Sequence, residues 1–246
     1  MQEVHILSSR VAGLQRQLNM ISDNVANLNT TGYKKLDLQF ETVLSRENGE
    51  DVAHFVQDRA LTVNFTSGPL VETNSPYDLA IAGEGFFAVN IDGRTEYTRN
   101  GNFVLNQNGT LIDQRGSPVQ GVGGAEIVIP VDAVNVTISL DGTISDEDGE
   151  LGQIGIFTFD RADMQQLQRT GNGGFVPLPG VNAAAADPDR IRVTQGGLEG
   201  SNVSPAIELI TMQELSQSYQ GAARLVNSVE ELESTVIRDI GGGGGR

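Results

Sequence analysis

Cysteine and tryptophan are absent from this chain of 246 residues, and aromatic residues make up only 5% of it. Without cysteine, the protein cannot form a disulfide framework, use a thiolate nucleophile or bind a metal through sulfur. Histidine is also scarce, and no serine or aspartate is spaced around His5 and His54 as a catalytic triad requires. We therefore expect no catalytic residue, no metal site and no cofactor, so the protein is not expected to be an enzyme.

Two kinds of hydrophobic segment are missing as well. No run approaches the roughly 18 consecutive apolar residues of a transmembrane helix. The N-terminal stretch MQEVHILSSRVAGLQRQLNM is interrupted by charged and polar residues every few positions, unlike a secretory signal peptide. We expect no direct membrane insertion, and export, if it occurs, by a route other than a cleaved secretory signal.

Positive charge is scarce, and the formal net charge is −16. Residues 1–35 carry +2, residues 36–200 carry −15 and residues 201–246 carry −3. Acidic side chains are thus concentrated in the middle of the chain. This distribution indicates a solvated outer surface and argues against nucleic acid as a partner.

Glycine is abundant, with 30 residues against 8 prolines, and several glycines follow Asn or Asp in pairs typical of tight turns. Apolar and polar residues alternate in LTVNFTSGP (61–69) and VNVTISLDGTIS (134–145), and an Asp-Gly pair divides FFAVNIDGRTEYT (86–98). NGTLIDQRG (108–116) and DGTISDEDG (141–149) form a faint internal repeat. The centre of the chain is predicted to be antiparallel β-structure rich in hairpins.

Both ends of the chain have helical periodicity. Their apolar residues are spaced alternately 3 and 4 apart, which is a heptad seam, and Glu233 interrupts the second series. We predict that the two helices pair as a coiled coil and also pack on neighbouring copies, because neither seam is stable when unpaired. The predicted seam residues are Val4, Leu7, Val11, Leu14, Leu18, Ile21, Val25, Leu28, Met212, Leu215, Tyr219, Ala222, Val226, Val229 and Val236.

These patterns predict a mainly β central domain flanked by terminal helices. The predicted helical domain is discontinuous, and the Gly-rich C-terminus is expected to be a flexible tail. The predicted boundaries are 1–30 and 203–240 for the helical domain, 31–77 and 190–202 for extended connectors, 78–189 for the antiparallel β domain, and 241–246 for the tail.

The first helix is predicted to end in DNVANLNTTGYKK, residues 23–35. Asn and Thr side chains compete for backbone hydrogen bonds, and a glycine can take the left-handed conformation that closes a helix. A simple helix cap would not need so many amide and hydroxyl residues. We therefore predict a junction between helix and connector at Asn24, Ala26, Asn27, Thr30, Gly32, Tyr33 and Lys34.

The second helix is predicted to start in SNVSPAIE, residues 201–208. Ser204 fits the N-cap, and Pro205 fits the first helical position, where its missing N–H is not needed. The residues assigned to this helix start are Ser201, Asn202, Val203 and Pro205.

Two short motifs suggest other functions. GEGFFA (83–88) matches Gly-x-Gly-x-x-Ala and would make the protein a nucleotide-binding enzyme, but that fingerprint needs a following helix, and FFAVNI has β character. SDEDGE (145–150) is similar to a calcium loop, but Ile144 occupies the first ligand position. A turn explains each motif better.

Three stretches in order along the chain resemble the bacterial flagellar axial proteins, the rod and hook family. They are ISDNVANLNTTGYKK (21–35), DLAIAGEGFFAV with the residues up to 121, and GGLEGSNVSPAIELITMQ (196–213). The resemblance covers nearly the whole chain. Chain length favours the proximal- and distal-rod types over the small rod proteins and the hook proteins. The motifs YTRNGN, GVGGAEIVIP and LEGSNVSP are more similar to the proximal-rod type than to the distal-rod type, with a distal-rod or hook-type subunit as the alternative. SYQGA (218–222) departs from the family pattern, in which an arginine more often precedes the aromatic residue and no glycine follows it.

The resemblance implies a structural subunit of the periplasmic rod, which transmits torque from the motor to the hook. It implies that the terminal helices form an inner tube and that the acidic β domain stands outside. The implied partners are other rod proteins, copies of this chain and the flagellar type III export apparatus. Nucleic acid, small-molecule substrates and cofactors are not expected.

Overall fold

The computed structural model describes residues 2–47, 50–171, 173–187 and 191–242. The chain divides into two compact units, each assembled from separate segments. The helical unit contains Met1–Ala26, Leu36–Thr62 and Ser204–Arg246, and the β unit contains Asn27–Lys35 and Val63–Val203.

The helical unit contains the two terminal helices and a long hairpin. Helix α1 spans Gln2–Ala26 and helix α3 spans Pro205–Gly242, and the two helices pack against each other. Strands β1 (Leu36–Glu47) and β2 (Glu50–Val63) form a two-stranded sheet, and β1 also contacts α1. Pro205 is the first residue of α3, as predicted.

The β unit is built from antiparallel sheets, which confirms the predicted mainly β, antiparallel class. Its largest sheet has six strands, in the spatial order Leu167–Arg169, Phe175–Pro177, Arg94–Thr98, Phe86–Ile91, Ile156–Thr158 and Ala184–Ala185. Among the described residues, the β unit also contains a three-stranded sheet, three two-stranded sheets and the short helix α2 (Arg161–Met164). The strands are β3 (Leu70–Glu72), β4 (Leu79–Ala82), β5 (Phe86–Ile91), β6 (Arg94–Thr98), β7 (Phe103–Leu105), β8 (Leu111–Asp113), β9 (Thr137–Ile138), β10 (Thr143–Ser145), β11 (Glu150–Gln153), β12 (Ile156–Thr158), β13 (Leu167–Arg169), β14 (Phe175–Pro177), β15 (Ala184–Ala185), β16 (Arg192–Gln195) and β17 (Gly197–Glu199).

Strand β5 separates the two hydrophobic cores of the β unit. Phe87 and Val89 point into one cluster, whereas Phe86 and Ala88 point into the other. A strand that is buried on both faces has apolar residues at consecutive positions. This explains why FFAV does not alternate with polar residues.

The predicted Asp-Gly turn joins β5 to β6. Asp92 has φ 51° and Gly93 has φ 81°, and the strands pair in register from Ile91 and Arg94 outwards. Positive φ at both central residues is the geometry of a type I′ hairpin turn, which suits the twist of paired strands.

The two copies of the internal repeat adopt similar turns. Each begins at a glycine with positive φ, 78° at Gly109 and 86° at Gly142. In each copy an aspartate, Asp113 or Asp146, accepts a hydrogen bond of 2.9 Å from the backbone N–H two residues later. SDEDGE is therefore an acidic turn closed by its own carboxylate.

The sequence interpretation was wrong about the length of two strands. The strand predicted over VNVTISL is reduced to the two residues of β9, because Asn135 has φ 56° and interrupts the extended backbone. Val134 and Leu140 are consequently more than half exposed. Strand β2 ends at Val63, where the Asn64 side chain accepts a hydrogen bond from the N–H of Thr66 and turns the chain.

GEGFFA leads directly into β5, so no helix N-terminus follows it to bind a pyrophosphate. The alternative of a nucleotide-binding fingerprint is wrong. Gly85 is needed for packing, because a Cβ there would lie 2.9 Å from the Ile156 side chain.

The terminal helices also differ from their predicted limits. Helix α1 ends at Ala26, so Leu28 follows the helix instead of extending its seam. Helix α3 includes Gly241 and Gly242, the first residues of the predicted tail, and residues 243–246 lie outside the described chain. Neither α1 nor α3, as far as each is described, is long and apolar enough to cross a membrane.

Candidate functional site

Every predicted seam residue of α1 and α3 whose side chain is described is buried or partly buried, and Leu28 lies after α1. Ile21 and Ala222 are buried. The side chains of Val4, Val236, His5 and His54 lie outside the described part of the chain. The remaining predicted seam residues are partly buried: Leu7, Val11, Leu14, Leu18, Val25, Leu28, Met212, Leu215, Tyr219, Val226 and Val229.

The outward surfaces of the two helices differ in chemistry. Exposed positions on α1 are mostly polar or charged, such as Arg10, Gln15 and Asn19. Helix α3 instead exposes large apolar side chains that are each between 54% and 65% accessible. These side chains are Ile207, Leu209, Ile210, Leu225 and Leu232.

Asn24, a predicted junction residue, connects three elements of the helical unit. Its Oδ1 accepts a hydrogen bond from the Leu36 N–H at 2.9 Å, and its Nδ2 donates to the Leu36 carbonyl at 3.0 Å. The same Nδ2 lies 3.4 Å from Oε2 of Glu208 in the first turn of α3. Because Asn24 is fully buried, its amide needs these partners. One side chain thus joins the end of α1, the start of β1 and the start of α3.

The chain after α1 turns within the β unit as the Asn- and Thr-rich sequence predicted. The N–H of Thr30 donates to the carbonyl of Asn27 at 3.2 Å, and the N–H of Tyr33 donates to the carbonyl of Thr30 at 3.2 Å. Gly32 has φ 68°, a left-handed conformation, but it lies six residues after the end of α1 and therefore does not close the helix as predicted. Ala26, the last residue of α1, is exposed.

Lys34 lies at the centre of a buried ionic cluster. Its Nζ is 2.6 Å from Oε1 of Glu199 and donates to the Thr66 carbonyl at 2.9 Å. The other carboxylate oxygen of Glu199 is 3.3 Å from Nη1 of Arg99. All three charged side chains are at most 4% exposed.

Burial and the shared carboxylate of Glu199 have opposite effects on the pKa values of the two cations, Lys34 and Arg99. Desolvation lowers the pKa of Lys34 and of Arg99, and the hydrogen bond and charge of Glu199 oppose the shift in both. Arg99 also donates to the Gly83 carbonyl at 2.7 Å. Removing one partner of such a cluster leaves a buried charge uncompensated, which is strongly destabilising.

Asn202, predicted at the start of the second helix, bonds to two other segments of the β unit. Its Oδ1 accepts from the Lys35 N–H at 2.7 Å, and its Nδ2 donates to the carbonyls of Asn64 and Thr66, both at 2.9 Å. Its own N–H donates to the Tyr33 carbonyl at 3.4 Å.

The neighbours of these residues complete the packing. The guanidinium carbon of Arg169 lies 4.3 Å from the centre of the Tyr33 ring, a cation–π contact. Ser201 and Val203 are buried, and the Ser201 hydroxyl accepts from the Val203 N–H. Pro205 is exposed.

Residues 30–35, 64–68 and 199–202 therefore meet in the β unit, and we call these three segments the clasp. Sequence analysis singled out Lys34 and Asn202 but missed Glu199 and Arg99. The only sequence signal for these two residues is that each is a charged residue at the end of a strand: Glu199 is the last residue of β17, and Arg99 follows β6. The clasp contains ionic and amide pairs but no nucleophile beside a base, and the described residues contain no group of His, Asp and Glu that could hold a metal.

Three family models match this chain. The model described as Flagella basal body rod protein matches residues 6–34. The model for the Flagellar hook protein FlgE/F/G D1 domain matches residues 80–146, and the model for the Flagellar basal body rod FlgEFG protein C-terminal matches residues 194–239. The two terminal matches contain Asn24, Lys34, Glu199 and Asn202.

Several curated proteins are similar along nearly their whole length. The flagellar basal-body rod protein FlgF of Caulobacter vibrioides is 35% identical over 95% of this chain and 95% of its own length. FlgF of Mesorhizobium japonicum is 32% identical over 96% of this chain and 95% of its own. The rod protein FlgG of Agrobacterium fabrum is 30% identical over 98% of this chain and 100% of its own.

Proposed function

Because the chain belongs to the flagellar basal-body rod family, we propose that it is a structural subunit of the proximal part of the rod. The family is structural and not enzymatic, and its members are parts of the flagellum basal body. Full-length similarity to rod proteins, including both terminal segments, is the observation that carries this function.

The proximal assignment is supported by the relatives named FlgF, which are 35% and 32% identical to this chain. The relative named FlgG is 30% identical, so a distal-rod subunit is the alternative. A hook-type subunit of the same family is a further alternative.

The proposed mechanism is assembly through the terminal helices. Helices α1 and α3 pair as a coiled coil along the predicted seams, and helices of successive copies pack side by side into the axial drive shaft. The burial of Ile21 and Ala222 supports the pairing, and the exposed apolar face of α3 supports contacts with neighbours. Torque transmission requires stiffness, which interlocked side chains provide without bond-making chemistry.

The proposed partners are other rod proteins and copies of this chain. We further propose that the flagellar type III apparatus exports it to the periplasmic rod. Neither nucleic acid nor a small-molecule substrate has a role in this mechanism.

Motility of a strain that lacks the native gene tests the assembly mechanism. Complementation with Leu14→Asp or Val226→Asp is expected to leave cells non-motile, because a carboxylate in an apolar seam is not compensated. Asn19→Asp and Gln220→Asp place the same charge at exposed positions of the same helices and should preserve motility.

Purified variants separate failed assembly from failed folding. Hydrogen exchange in β5 and β6 should match the wild type in Leu14→Asp and Val226→Asp, because both substitutions lie in the helical unit. Normal motility of either seam variant would contradict the proposed assembly through the terminal helices. The full-length similarity would then support a rod subunit but not this way of assembling.

A further inference from the structure

The clasp makes the N-terminal junction dependent on residues near the C-terminus. Lys34 has a fully buried side chain, and its carboxylate partner Glu199 lies 165 residues later in the sequence. An ammonium group that is buried without a carboxylate is strongly unfavourable, so it would move into water instead. The buried position of Lys34 therefore requires Glu199.

The backbone of the junction depends on the same distant residues. Gly32 donates its N–H to the Glu199 carbonyl at 2.7 Å, and Lys35 donates its N–H to Oδ1 of Asn202 at 2.7 Å. The local hydrogen bonds from Thr30 and Tyr33 are longer, at 3.2 Å each. Short hydrogen bonds of the segment thus go to residues 199–202 and also to residues 64–68, because the N–H of Asn64 donates to the Lys35 carbonyl at 2.8 Å.

Glu199 also holds the third segment of the clasp. Its Oε1 accepts a hydrogen bond from the N–H of Gly68 at 2.9 Å. The backbones of the two segments approach so closely there that a Cβ on Gly68 would lie 2.0 Å from the Gly200 carbonyl oxygen. The same carboxylate separates the positive charges of Lys34 and Arg99, which would repel each other without it.

We propose that Glu199 is the positioning residue of the junction, and that residues 30–35 fold only when residues 199–202 join them. Because a polypeptide is made from its N-terminus, the junction stays open until residues 199–202 are available. A chain that ends before Glu199 does not build it. The clasp thereby makes the conformation of residues 30–35 depend on residues 199–202, and this holds independently of the proximal-rod assignment.

Pulsed hydrogen exchange during refolding of the full chain tests the order of events. Amides of residues 32–35 should gain protection in the same kinetic phase as those of 197–202, and later than those of 86–98 in β5 and β6. Protection of 32–35 before 197–202 would overturn the proposal, because the junction would then fold without its C-terminal partner.

Native-state exchange of Glu199→Gln tests the residue itself. The loss of a charged partner should accelerate exchange of residues 32–35 and 66–68 by roughly 10- to 100-fold. The exchange rates of residues 86–98 should change by less than about threefold, because local opening of the clasp does not require unfolding of the whole protein. Glu126→Gln is the matched control, because Glu126 is an exposed glutamate of the same unit.

Unchanged exchange of residues 32–35 in Glu199→Gln would overturn the proposal. Equal acceleration in residues 86–98 would also overturn it, because Glu199 would then act through general stability. Asn202→Ala removes hydrogen bonds to the same segment without leaving a buried charge, so it provides the test if Glu199→Gln does not fold. It should selectively accelerate residues 33–35, and no selective change would count against the clasp.

Discussion

Gly32 lies directly against the backbone of Arg99. A Cβ on Gly32 would be 2.4 Å from the Arg99 carbonyl carbon and equally close to the Asn100 nitrogen. Gly32 also has φ 68°, which side chains rarely adopt. The glycine at this position is thus fixed by two requirements, conformation and close approach.

Gly32→Ala is expected to destabilise the β unit by about 3 kcal/mol or more, because strain and overpacking add. Urea unfolding followed by circular dichroism measures this change. Gly93→Ala is the matched control, with φ 81° and open space around the new Cβ. Gly93→Ala should lower the free energy of unfolding by only about 1 kcal/mol, because only the positive φ is unfavourable for alanine there. Equal losses for the two variants would show that the contact with Arg99 is unimportant.

Asn24→Asp is expected to destabilise the helical unit by about 2–4 kcal/mol, because a buried group loses its donor and gains a charge. Asn24 accepts a hydrogen bond from the Leu36 N–H and donates one to the Leu36 carbonyl. An aspartate could keep the first bond but would lose the second, because a carboxylate has no N–H. Its carboxylate would also face Glu208. Thermal unfolding measures the loss.

Asn19→Asp makes the same chemical change at an exposed position of α1. It should alter stability by less than about 0.5 kcal/mol, as surface substitutions usually do. A similar loss in both variants would mean that helix α1 tolerates no added charge, and that the pairing of Asn24 with Leu36 is not the cause.

The features that sequence analysis predicted correctly are local ones. Periodicity identified α1 and α3, and Asp92-Gly93 identified the hairpin between β5 and β6, because each pattern reports on neighbouring residues. The spacing also located Ile21 and Ala222, which the structure buries. Asn24 and Lys34 were selected as junction residues and Asn202 as part of the second helix start, but their bonding partners were not predicted.

The missed features depend on contacts between distant residues. Glu199 joins Lys34 and Arg99 across 165 and 100 positions, and a single charge near a strand gives no local sign of such a partner. The positive φ of Asn135 shortened a predicted strand, although its alternating pattern was regular. Local periodicity therefore predicted the elements, whereas the clasp could be found only in three dimensions.

A nucleotide titration distinguishes a rod subunit from a nucleotide-binding enzyme. Isothermal calorimetry with a dinucleotide should give no heat of binding, because GEGFFA enters β5 and no helix follows it. The Gly85 position offers no space to a ligand either, since Ile156 and Ile191 side chains lie within 3.1 Å of where its Cβ would be. Saturable heat that is lost in Gly85→Ala would contradict this interpretation.

The terminal helices are expected to be only marginally stable in the monomer. Helix α3 has 38 residues and exposes Ile207, Leu225 and Leu232 to water, so packing against α1 leaves these apolar side chains uncovered. Helices gain most of their stability from packing of such faces, and helix nucleation is unfavourable. Far-UV circular dichroism of dilute full-length protein should therefore show less helix than α1 and α3 would contribute, and the signal should rise when rod partners are added. Full helix content in the dilute monomer would mean that the α1–α3 contact alone is sufficient, and ordering of the helices would then not accompany assembly.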